Sequence, residues 1–165
     1  MKKVKLFVWM ILLIILETTV TRYLRIDNTV PALTYAFLIC VAVRDENFPT
    51  VVLVGGICGV LGGSLLGKSF HFIFMFYTLS AAAVFYLRKK PRYTHSILKA
   101  VFWCGILTAL YELGLYALEN KGIDFFTVYA AMLPSALYNI AAVLILYPLV
   151  SHTVYNKDVK KKLIA

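Results

Sequence analysis

Two carboxylates, Glu17 and Glu112, interrupt long apolar runs, and ionisable groups in such places are costly unless they face protein or water. Thr108, Glu112, Tyr116 and Glu119 recur at helical spacing and form one polar stripe. Arg22 lies at a similar depth and could pair with either acid. Such a constellation can line a substrate cavity, relay a proton or present a groove to a partner. It can equally be a set of paired side chains that fixes helix register. Further along, Asn139 falls near the middle of another apolar run, where an amide bonds to a neighbouring helix. Pro134, one turn earlier, removes a backbone donor and permits a kink, and Tyr138 precedes the amide.

Other familiar chemistry is missing from the pattern. Cys40, Cys58 and Cys104 lie within apolar runs, and neither they nor His71, His95 and His152 have metal-ligand spacing. No Ser-His-Asp or Cys-His arrangement can be drawn. Gly62 to Ser69 does read G-x-x-x-x-G-K-S, but a P-loop needs a strand before it and a helix start beneath the phosphates. Here the pattern joins two membrane-length apolar runs. The expectation is a protein that is not an enzyme and holds no cofactor or metal.

The elements that carry these residues follow from composition. Of 165 residues, 61% are hydrophobic, and the mean hydropathy is +0.81. That predicts an all-α, polytopic membrane protein with one domain over 1–165. Six spans are expected, at about Leu6–Tyr23, Thr29–Val43, Thr50–Leu66, Phe70–Leu87, Ile97–Leu118 and Phe125–Val150. The second is short for a full crossing. The start of the chain looks like a signal peptide, but Glu17 stands where a cleavage site belongs, so an uncleaved first span is expected.

The stretch from Gly55 to Gly67, at the end of the third span, holds six of the nine glycines, with Gly55, Gly59, Gly63 and Gly67 at successive i, i+4 positions. Such a face lets another helix approach to backbone contact, either within the bundle or on a separate protein. The small residues Ser80 to Ala83 of the fourth span are candidates to meet it.

The net charge of +9 is unevenly placed. With alternating sides, thirteen of the 17 basic residues fall with the termini, Arg44 and the loop after the fourth span, against Arg22, Arg25, Lys68 and Lys121 opposite. The excess marks the cytoplasmic side, so both termini are expected inside. Anionic lipid headgroups account for the charge, and no nucleic-acid partner is needed.

Several of these stretches resemble the rod shape-determining protein MreD family. Ala109-Leu110-Tyr111-Glu112-Leu113 is similar to its L-x-Y-E-L region. Leu133 to Asn139, followed by Leu146-Tyr147-Pro148-Leu149, is similar to its P-x-x-L-Y-N … L-Y-P-L signature. Leu16-Glu17-Thr18-Thr19 stands where that family has L-Q-T-T, and Gly63 where it often has an aspartate. The resemblance implies a multi-pass scaffold of the bacterial cytoplasmic membrane, serving cell elongation and peptidoglycan synthesis. Its implied partner is MreC, with RodA, a class B transpeptidase and the MreB filament nearby. It also implies a six-helix fold similar to the S-components of energy-coupling-factor vitamin transporters. The alternative function is therefore a vitamin-binding subunit, with a small-molecule ligand in an outward cavity.

Overall fold

In the computed structural model the described residues are 2–19, 23, 32–66, 70–88, 96–119 and 125–162. They form six α-helices: α1 (Lys2–Thr19), α2 (Leu33–Arg44), α3 (Phe48–Leu66), α4 (Phe70–Leu87), α5 (Ser96–Glu119) and α6 (Phe125–Lys162). Among the described residues, three stretches are long and apolar enough to cross a membrane: Phe70–Leu87, Ile97–Leu118 and Met132–Tyr155. Leu33–Arg44 and Phe48–Ser64 are apolar but shorter.

The helix bounds depart from the expected spans where polar residues are good helix formers. α1 begins at Lys2, because lysine costs a helix little and needs no apolar surroundings. α6 continues through the basic tail to Lys162, twelve residues past the expected end at Val150, for the same reason. Pro134 and Pro148 both lie inside α6, and the helix is continuous across them. Pro49 sits in the first turn of α3, where a missing N–H leaves no bond unmade; Thr50 and Val51 donate their amides to the Asn47 carbonyl.

The centre of the molecule is α2. It touches all five other helices, and every residue from Thr34 to Val43 is buried. An amphipathic stripe was not to be expected, since no face of this helix meets solvent or lipid. Around it, α3 packs against α4 and α5 against α6 as two hairpins, and α1 closes the bundle along α2, α3 and α6. α1 contributes one stripe at helical spacing, Leu6, Met10, Leu13 and Glu17.

The glycine face of α3 is covered by α4. A Cβ at Gly55 would stand 3.0 Å from the Ala81 Cβ, one at Gly59 2.9 Å from the Phe74 Cα, and one at Gly63 2.9 Å from the Phe70 ring. The absence of side chains is what allows this approach. Ala81 meets the ladder, whereas Ser80 turns to α2 and bonds the Tyr35 hydroxyl at 3.3 Å. Gly67 lies outside the described residues. Gly62 to Leu66, the first part of the P-loop look-alike, are helical rather than a loop; Lys68 and Ser69 lie outside the described residues.

Between α2, α4 and α5 the interior is aromatic. Tyr35 lies 4.7 Å from Tyr77 and 6.3 Å from Tyr111, measured between ring centroids. Phe72 and Phe76 close on Tyr111 at 6.0 and 5.3 Å.

Candidate functional site

Two of the residues singled out for chemistry, Glu17 and Asn139, meet at the N-terminal end of α2. Twelve residues make this helix about 18 Å long, short of the ~30 Å of a bilayer's hydrocarbon core. Its first amides therefore begin inside the bundle, away from water that could satisfy them. Its N-cap position is Ala32, which has no side chain able to accept a hydrogen bond. The caps must come from other helices.

At the N-terminal end they do. Glu17 of α1 accepts a hydrogen bond from the Thr34 amide at 2.9 Å, and the carboxylate is 8% exposed. Asn139 of α6 accepts from the Ala32 amide at 2.9 Å through Oδ1 and donates through Nδ2 to Thr108 Oγ1 of α5 at 3.2 Å. A carboxylate suits this place, because a helix N-terminus carries partial positive charge. Thr108 and Asn139 are both buried, and Cys104 Sγ lies 4.0 Å from Thr108. The Thr34 hydroxyl is buried with no hydrogen-bond partner among the described residues.

One turn further along the same seam, Ser135 donates to Glu112 at 2.6 Å. Spacing explains the match: Thr108 and Glu112 are four apart going up α5, Asn139 and Ser135 four apart coming down α6. Tyr116 and Tyr138 are half-buried, and Pro134 lies in the same turn as Ser135. Arg22, expected to pair with an acid, lies outside the described residues. Glu17 and Glu112 are each engaged with a different helix end or seam, so the two acids that the sequence groups by depth have separate structural duties.

Compared with family models, with curated proteins and with solved structures, the chain matches none.

The opposite end of α2 was not anticipated. Arg88, just after α4, donates to the carbonyls of Ala42 at 3.1 Å and Val43 at 3.0 Å, which closes the C-terminus of α2 with a cation, the sign favoured there. Partial burial lowers the Arg88 pKa, and the charges of Asp45 and Glu46 oppose that; a guanidinium remains protonated at neutral pH. Asp45, the C-cap, is wholly buried. It takes Lys2 Nζ at 3.1 Å, the Asn47 amide at 3.0 Å and the Tyr155 hydroxyl at 3.0 Å. Lys2 also lies 4.6 Å over the Tyr155 ring. The signal in the sequence was an acid among basic residues on one side, but nothing in the spacing says which of many lysines it would meet.

These contacts bring the start of α1, the end of α2, the end of α4 and the last turns of α6 to one end of the molecule. Lys99 at the start of α5 joins them, 3.4 Å from the Arg88 carbonyl. Chemically, both ends of the site do one thing: they hold a short buried helix in place. The bonds join side chains of the surrounding helices to the α2 backbone or to one another.

Proposed function

We propose that the chain is a six-span scaffold of the bacterial cytoplasmic membrane, MreD-like, which binds an MreC-like membrane-anchored partner and supports cell-shape control and peptidoglycan synthesis. Both termini lie in the cytoplasm, and RodA and a class B transpeptidase are its neighbours. The reading takes no enzymatic activity and no cofactor.

One observation carries it. Residues from the three stretches at Glu17, Glu112 and Asn139, on which the resemblance rests, all make contacts inside the bundle. Glu17, in Leu16-Glu17-Thr18-Thr19, and Asn139, in Pro134 to Asn139, both cap α2, while Glu112, in Tyr111-Glu112-Leu113, bonds Ser135 of that same stretch. Residues of a fold signature meet in this way when their work is to hold the bundle. Tyr35, Tyr77 and Tyr111 pack against one another between α2, α4 and α5, as expected of an interior whose work is packing. The grouping of Lys2, Arg88 and Lys99 at one end fits the uneven charge count and hence cytoplasmic termini.

The test is a paired measurement on one preparation from native membranes: capture of an MreC-like protein, and native mass spectrometry for a retained small molecule. Capture without a vitamin is the expected result, and depletion should round rod-shaped cells. Glu112→Gln keeps the bond to Ser135 and should reduce capture little. A retained vitamin with no MreC-like partner would overturn the proposal in favour of a transporter S-component.

A further inference from the structure

At the basic end of the bundle α1 and α6 part to leave a groove of about 460 Å³, lined by Val4, Lys5, Val8, Trp9, His152 and Thr153. Its rim is built from polar contacts. Lys5 Nζ donates to the Thr153 carbonyl at 2.7 Å, and Trp9 Nε1 donates to Thr153 Oγ1 at 2.9 Å. Thr153 in turn donates to the Leu149 carbonyl at 2.7 Å, so its oxygen is fixed against α6. These bonds hold a cation and an indole at the rim, and Lys5 has protons left for another acceptor.

Below the rim the walls are apolar and exposed. On α1, Val4, Val8, Ile11 and Ile15 follow at helical spacing; on α6, Leu149 and Ile145 continue the line from Thr153. The charge on the groove is cationic. Lys5 lines it, and exposed Lys3 stands just before Val4 on the same helix. A cationic mouth with an indole at the rim and an apolar trough running down from it matches one kind of molecule: an amphiphile with an anionic head and a hydrocarbon tail.

We propose that this groove binds an anionic diacyl phospholipid, its phosphate at Lys5 and one acyl chain along Val8, Ile11 and Ile15. Its volume lies within the range of ordinary ligand sites and suits a headgroup rather than a whole lipid, whose chains remain in the bilayer. The bound lipid bridges α1 to α6, the two helices whose ends also meet at Asp45 through Lys2 and Tyr155. The inference rests on the membrane location proposed above, and it adds a specific site to the general attraction of basic residues for anionic leaflets.

Trp9 is its own reporter. The chain has two tryptophans, so Trp103→Phe leaves Trp9 alone. The full chain is placed in phosphatidylcholine nanodiscs doped with phosphatidylglycerol or phosphatidylcholine brominated high on its acyl chain, and Trp9 fluorescence is followed. Brominated phosphatidylglycerol should quench at about fivefold lower mole fraction, the selectivity one lysine near a membrane surface confers. Lys5→Gln, which can still donate to Thr153, should bring the two lipids together, and Lys5→Arg should restore the difference. Equal quenching by the two lipids in the Lys5 protein would overturn the proposal, whether or not the variants fold. So would shielding of Trp9 from both lipids while Trp103, read in Trp9→Phe, is quenched; that pattern would mean a second copy or another protein covers the groove. Neither tryptophan quenched would instead defeat the membrane reading itself.

Discussion

The α3–α4 hairpin and the α5–α6 hairpin solve one problem in two ways. Lipid is as apolar as leucine, so no hydrophobic force pushes one membrane helix against another. Along α3 the side chains are deleted: Gly55, Gly59 and Gly63 let the α4 backbone come within contact distance of where a Cβ would stand. Along α5 the contact is polar, with Thr108 held by Asn139 and Glu112 by Ser135. The one glycine of α5 that faces α6, Gly105, is looser, since its Cβ would meet the Ile140 Cδ1 at an ordinary 3.4 Å. The first seam depends on volume and is indifferent to polarity. The second tolerates volume but not the loss of a partner. Only the second also serves α2, because Asn139 reaches from the seam to the Ala32 amide.

The largest effect expected from breaking this contrast is at Gly59. Gly59→Leu inserts a side chain where a Cβ alone would lie 2.9 Å from the Phe74 Cα, and backbone cannot yield as a side-chain tip can. Overpacking of this kind costs about 3 kcal/mol or more, and thermal unfolding in detergent should show a large drop, whereas Gly105→Leu should cost far less. A melting temperature unchanged by Gly59→Leu would place the ladder somewhere other than against α4.

Next comes Asn139→Leu. It keeps the volume but leaves the Ala32 amide without its acceptor and Thr108 without its donor. A buried unsatisfied group costs about 1–3 kcal/mol. Thr108→Val should cost less, since it removes one bond and leaves the α2 cap intact. Hydrogen exchange at the start of α2 separates the two: Asn139→Leu should loosen it and Thr108→Val should not. Equal loosening would mean that the seam, rather than the cap, is what Asn139 serves.

The smallest effect, of opposite sign, belongs to Gly56→Ala. Gly56 sits beside the ladder but faces only the Phe74 ring edge, 3.7 Å from where its Cβ would stand. Alanine fits there and is about 1 kcal/mol better in a helix than glycine. Unfolding should move slightly upward; a drop comparable with that of Gly59→Leu would show that the whole glycine-rich run, and not one face of it, is packed tight.

Much of the architecture was legible because lipid imposes a simple rule: apolar runs of sufficient length become helices. Phe70–Leu87 was placed to the residue, and Ile97–Leu118 to within one residue at each end of α5. The i, i+4 glycines announced a close helix contact, and the depth of Asn139 announced a bond to another helix. Spacing within one segment carried these signals, so one segment sufficed to read them.

What the sequence did not reveal is which segment meets which. The short second run reads as a span with too few residues, yet it is the buried axis of the bundle, and that follows from contacts with five helices rather than from its own pattern. The charge of Asp45 was visible, but its bonds to Lys2 and Tyr155 join residues 43 and 110 positions away. Glu17 and Glu112 looked alike by depth, and only the packing gave one to the α2 amides and the other to Ser135. Hydropathy and periodicity determine where a helix begins, ends and turns its small or polar face. The partner of that face is decided by the tertiary fold, because an unsatisfied amide or carboxylate takes whichever group the bundle brings within 3 Å, however far away it lies in the chain.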